Sequence, residues 1–236
     1  LKAVDDAHRR GERAMGDYSR QQAKAFRLLS SSATKAAFDL RREPERVREK
    51  YGAGINSMTL LLARRLVEAG VPFVTVFWKG SKEVNDLCKS GGGWDTHAQN
   101  FKCLKEKLLP EFDRPFAALL DDLGQRGLLD STLVVVTSEM GRTPKIGDPR
   151  SGGAYGAGRD HWTACQSVLM AGGGVRGGQV FGSSDKRAEY PFDNPIAPEH
   201  VARTVFHALG VGLDAVDKEG RPVQLMEEGR PLTELF

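Results

Sequence analysis

The sequence predicts an α/β domain, with a mixed, mainly parallel sheet held between helices. Two apolar runs and the stretch between them carry this expectation. Phe73–Trp78 and Thr132–Thr137 are short, continuous and rich in β-branched or aromatic residues, the pattern of strands buried on both faces. Residues 98–126 between them read as helical. Strand, long helix, strand is a βαβ unit, which makes the two strands parallel with a right-handed crossover.

The elements follow in chain order. Residues 19–51 read as short helices, because Ala23, Phe26, Leu29, Ala33 and Ala37 recur every three to four positions. Pro44 suits a first helical turn and Gly52 a stop just past Tyr51. A helix from Asn56 to Ala69 ends at Gly70 and leads into the first strand, Phe73–Trp78. Residues 79–96 are a polar, Gly-rich loop. The helical stretch 98–126 contains Pro110 and Pro115, which mark a kink or break, and Gly127 closes it. Thr132–Thr137 is the second strand. Residues 138–165 read as a long loop, and loops of that length inside compact domains tend to be functional. Gln166–Ala171 is a third strand with no crossover helix before it, so it runs antiparallel to the second. A helix covers Pro198–Leu209, and the tail from Asp217 is irregular.

The chain has 236 residues, of which 34 are Lys or Arg and 31 Asp or Glu, giving a net charge of +3. With 40% hydrophobic residues it is neither collagen-like, nor a coiled coil, nor wholly disordered. Residues 1–236 are expected to form one domain, with 1–52 as its helical lead-in. Residues 1–50 carry a net +5 and the remainder a net −2. A basic first segment is compatible with nucleic acid, but its charges interleave in sign as on a solvated helix face, and no basic–aromatic pattern suggests base stacking. No nucleic-acid partner is expected, and no apolar run reaches the length of a membrane span. Cys88 and Cys103 can pair in an oxidising compartment and remain thiols elsewhere; Cys165 is the third cysteine.

Three polar clusters are expected to meet at one sheet edge, since ligands bind beyond the carboxyl ends of strands in open α/β sheets. The first strand feeds Trp94-Asp95-Thr96-His97. The second is followed by Ser138-Glu139-Met140-Gly141-Arg142-Thr143-Pro144. The third is preceded by Gly158-Arg159-Asp160-His161-Trp162. Asp95, His97, Glu139, Asp160 and His161 together offer carboxylate and imidazole donors for a divalent cation such as zinc, manganese or calcium. Arg142 and Arg159 suit a bound anion. A metal beside arginines suits a phosphate or sulfate ester. His200 and His207 share a helix face and read as structural. Gly172–Gly177 fits a dinucleotide fingerprint only formally, because no helix follows it; it reads as a glycine turn.

Several stretches also carry a family resemblance: Leu62-Ala63-Arg64-Arg65-Leu66-Val67-Glu68-Ala69-Gly70-Val71, Gly92-Gly93-Trp94-Asp95-Thr96-His97, Arg126-Gly127-Leu128-Leu129-Asp130, Glu139-Met140-Gly141-Arg142-Thr143-Pro144-Lys145 and Gly158-Arg159-Asp160-His161-Trp162. With Ala36–Leu40 and Ala171–Gly174, they make the chain resemble the bacterial domain-of-unknown-function 1501 family, which is sulfatase-like within the alkaline-phosphatase superfamily. The resemblance implies an alkaline-phosphatase-like fold whose N-terminal part precedes Leu1, and a metal-dependent site for small-molecule or glycan phosphate or sulfate esters. It implies that Asp95, His97 and His161 hold one metal, with Asp160 beside them, and that Glu139 serves a second metal or orients water while Arg142 binds the anion. Met140 stands where a second-site His is usual. A periplasmic or secreted location is implied too. The alternative is a non-catalytic exported binding or surface protein that keeps the fold.

Overall fold

A computed structural model describes residues 32–88, 93–147, 158–212, 214–216, 222–224, 226 and 228–236. The expected helices at 19–31 lie outside these residues. The described part begins with α1 (Ser32–Phe38), a 3-10 turn at Leu40–Arg42, α2 (Glu45–Tyr51) and α3 (Ile55–Glu68). Further along come α4 (Lys82–Cys88) and α5 (Asn100–Cys103), which runs through a π-helical turn at Leu104–Leu108 into α6 (Leu109–Gln125).

The break expected near Pro110 is this π-turn. Proline at 110 has no N–H to offer and its ring crowds the preceding turn. The helix widens there instead of ending, with the Leu109 N–H reaching back to the Leu104 carbonyl. Pro115 is buried inside α6 without ending it.

The strands are short: β1 (Val134–Val136), β2 (Gly141–Arg142), β3 (His161–Trp162), β4 (Leu169–Ala171), β5 (Ser183–Ser184), β6 (Pro191–Asp193), β7 (Asp214–Val216) and β8 (Pro222–Gln224), with α7 (Pro198–Ala208) between β6 and β7. Among the described residues they form four two-stranded ladders, β1–β4, β2–β3, β5–β6 and β7–β8, all antiparallel. The third strand therefore meets the second in the antiparallel sense expected, with Val134 opposite Ala171.

The parallel part of the sheet is not found among the described residues. Phe73–Trp78 joins no ladder there. Its residues do alternate, with Val74, Val76 and Trp78 half-buried while Phe73 is 60% and Phe77 85% exposed. A strand is defined by a hydrogen-bonded neighbour, and without one the alternation leaves an extended segment and no βαβ unit. The chain is thus a mixed helical and antiparallel structure.

The core lies between α2, α3 and α6, where Tyr51, Leu61, Ala118, Leu119 and Leu123 are buried, with Leu128, Leu129 and Val134 packed against them. Through it runs a network of charges. The Arg64 side chain is wholly buried, with Nη2 2.8 Å from Glu43, Nε 2.8 Å from Asp122 and Nη1 hydrogen-bonded to Glu68. The Glu43 and Asp122 contacts are close but not well aligned for hydrogen bonding, so they are ion pairs above all. Arg126 closes the network on Asp122 and Glu68, each at 2.7 Å, and Arg65 binds Glu43. A second cluster, Val84, Cys88, Cys103 and Leu108, joins α4 to α5 and the π-turn. Within it Cys88 and Cys103 form a disulfide, while Cys165 is free.

Two glycines set the position of the strands. A Cβ on Gly141 would lie 2.0 Å from the Cys165 carbonyl oxygen, so only glycine lets β2 pass this close. Gly172 has φ +70° and its Cβ would strike the carbonyls of Thr132 and Leu129. The glycine run is therefore a packing turn under the start of β1, and no helix follows it.

Candidate metal centre

Two parts of the chain supply the site. Asp95 and His97 lie on the loop before α5, and His161 opens β3. The β2–β3 ladder sets Arg142 opposite His161, so the two ends of the long 138–165 segment are joined where the chemistry is. Arg159 staples this ladder by donating to the carbonyls of Thr143 (2.6 Å) and Arg142 (3.1 Å). Burial, together with the like charge of Arg142, pushes the Arg159 guanidinium pKa down.

Asp95 Oδ1 is the hub. His97 Nε2 stands 2.8 Å from it, His161 Nε2 2.9 Å and Arg142 Nη2 2.9 Å. The two imidazole rings lie 4.6 Å apart. Burial pushes the Asp95 carboxyl pKa up. The hydrogen bonds from His161 and Arg142, with His97 close by and the positive charge of Arg142, outweigh it and hold the group below the usual aspartate value. Asp95 is therefore an anion at neutral pH, as a metal ligand must be.

Asp95, His97 and His161 each offer one atom that could hold a metal ion, and the three atoms lie within 4.8 Å of one another. Two imidazole nitrogens and one carboxylate oxygen make a donor set that suits zinc and leaves a fourth position for water or substrate. Asp160 stands outside this set. Its Oδ1 accepts the His161 backbone N–H at 2.9 Å and lies 3.7 Å from His97 Nδ1. There it faces the ring nitrogen that a metal on Nε2 would leave carrying the proton, the usual place for an outer carboxylate. Glu139 is exposed between β1 and β2 and takes no part in the three-atom cluster.

The loop itself is well anchored. Thr96 and Asn100 are buried and joined by a side-chain hydrogen bond, and Arg142 Nη2 also donates to the Trp94 carbonyl at 2.9 Å. Neither anchor was marked by sequence pattern; Thr96 inside Asp-x-His was the only hint. His200 and His207 are structural, and His8 lies outside the described residues. The His200 ring accepts the Ala197 N–H at the start of α7, and His207 stands edge-on to Phe236.

A profile of the family described as "Protein of unknown function (DUF1501)" matches residues 2–236. The chain belongs to the DUF1501 family. No curated protein and no solved structure matches it. The stretches that carry the DUF1501 resemblance divide in two by location. Trp94–His97, Gly141–Thr143 and Gly158–Trp162 surround the candidate metal centre. Arg64-Arg65, Glu68 and Arg126 build the buried ion network instead.

Proposed function

We propose that Asp95, His97 and His161 bind a divalent metal, and that this centre hydrolyses phosphate or sulfate esters in an alkaline-phosphatase-like protein. The observation that carries the reading is the meeting of these three ligand atoms from two separate parts of the chain. A bound divalent ion would supply Lewis acidity toward an ester oxygen. The chain's own residues would do the rest. Asp95 stays ionised and neutralises part of the metal's charge. Asp160 backs His97, and Arg142 fixes Asp95 while bringing positive charge to the rim where an anionic ester docks. Glu139, open to solvent next to β2, serves a second ion or orients water. The Cys88–Cys103 pair supports an exported location, because disulfides persist in oxidising compartments.

The test joins metal content to turnover. Purified protein is assayed for zinc, manganese and calcium, and then against aryl phosphate and aryl sulfate esters with and without added metal. The expected result is a bound ion that is lost in the Asp95→Ala, His161→Ala double variant, together with metal-dependent ester cleavage. Metal content unchanged by the double variant would refute the centre. The second reading, a non-catalytic exported binding or surface protein, is favoured by Met140 and by Glu139 standing apart from the cluster. It predicts metal binding with no turnover of either ester.

A further inference from the structure

Asp95 and His97 lie inside a ring closed by a covalent bond. Cys88 ends α4 and Cys103 ends α5, 15 positions later, with 5.6 Å between their Cα atoms. Both side chains are fully buried against Val84 and Leu108, so the two ends of the loop are fixed in the protein's second core cluster. The third ligand, His161, comes from β3, outside the ring. The centre therefore forms only if the closed loop presents Asp95 and His97 at the right place against an independently anchored strand. The Thr96–Asn100 hydrogen bond and the Arg142 contacts restrain the loop from within and from the β2 side. Neither fixes the separation of its ends, which only the disulfide does covalently.

We propose that the Cys88–Cys103 disulfide is a positioning element of the metal centre, holding the Asp95–His97 loop at the closure that metal binding needs. The inference rests on the metal reading given above. Loss of the bond lets the loop ends separate, and the ordering that the disulfide supplied in advance must then be met from the metal's binding energy. Ordering a loop on binding lowers affinity by the cost of that order, and a loss of about 10-fold or more is expected here. Both cysteines are buried, so reduction goes through opening of the loop, and a metal held by Asp95 and His97 opposes that opening and slows reduction. In the reducing step, a trialkylphosphine gives two electrons to the S–S bond. The sulfurs take two protons to become thiols, and the phosphine takes oxygen from water to become its oxide.

The experiment titrates zinc into the full chain by calorimetry. It compares the oxidised protein, the Cys88→Ser, Cys103→Ser double variant, which cannot bind zinc through freed thiols, and Asp95→Ala. Near-ultraviolet circular dichroism confirms that each is folded. The expected order is tight binding by the oxidised protein, binding weakened 10-fold or more by the serine pair, and loss in Asp95→Ala. Should the serine pair not fold, the rate at which a phosphine reduces the wild-type disulfide is followed with and without zinc. Slower reduction with zinc, abolished by Asp95→Ala, supports the proposal. Equal affinity in the oxidised protein and the serine pair, or a reduction rate indifferent to zinc, overturns it while leaving the metal reading intact. No zinc binding by the oxidised protein overturns both.

Discussion

Three nitrogens crowd a single oxygen of Asp95, and this makes the residue easy to perturb. Asp95→Asn would keep the shape but lose the charge that Arg142 and the two histidines face. Metal affinity should fall by orders of magnitude while the melting temperature moves little, since the site is half-exposed. Asp160→Asn acts one step further out. It should weaken metal binding by about 10- to 100-fold without abolishing it, as read by competition with a chromogenic chelator. Buried residues behave differently. Arg64→Ala would remove the buried cation between Glu43 and Asp122 and leave them to Arg65 and Arg126, a change that costs up to about 3–5 kcal/mol, measurable as a lower urea midpoint. The same network gives stability a pH dependence. Burial pushes the Glu43 carboxyl up, but the close ion pair with Arg64, the hydrogen bond from Arg65 and the charge of Arg126 outweigh it and hold the group below its ordinary value of 4.5. A depressed carboxyl stabilises the fold above the unfolded-state value and loses that contribution as the pH falls from 4.5 through the lowered one. The urea midpoint should therefore decline on acidification, and more steeply in wild type than in Arg64→Ala.

At the scale of elements, the β2–β3 pair decides whether a site exists. Two residues on each strand are all that place Arg142 opposite His161, and Gly141 is the position with no room for a side chain. Gly141→Ala should shift this pair, separate His161 from Asp95 and reduce metal binding, with far-ultraviolet circular dichroism nearly unchanged because the helices are elsewhere. The legibility of the sequence also divides here. The helices at 45–51, 55–68 and 198–208 could be read almost to the residue, because their apolar period and their Pro and Gly boundaries are local signals. The antiparallel partner of β1 was legible for a similar reason, namely the absence of a crossover helix. The parallel pairing was not, since pairing is a relation between distant segments and Phe73–Trp78 has only the composition of a strand. The candidate ligands Asp95, His97 and His161 were legible as residue types beside predicted strands. Their support was not. The separation of the loop ends and the arginines' carbonyl contacts arise from tertiary geometry, although Arg64 and Glu68 at i,i+4 could have hinted at the ion network.

At the scale of the whole molecule, a helical core and a set of small antiparallel ladders share one short chain, and the disulfide joins the metal loop to its own buried cluster. Closing a loop of this length stabilises a fold by about 3 kcal/mol, so the serine pair should unfold at lower urea than wild type even without metal. Among the described residues no helix is long and apolar enough to cross a membrane. The extended run Phe73–Trp78 has a consequence for the molecule in solution. One face of it is anchored by Val74, Val76 and Trp78, while Phe73 and Phe77 project outward along a backbone with no ladder partner among the described residues. Open strand edges of this kind template the addition of further chains, so protein concentration becomes a variable in its own right. Light scattering should detect self-association that grows with concentration, and Phe77→Lys, placing a charge on the adhesive face, should suppress it.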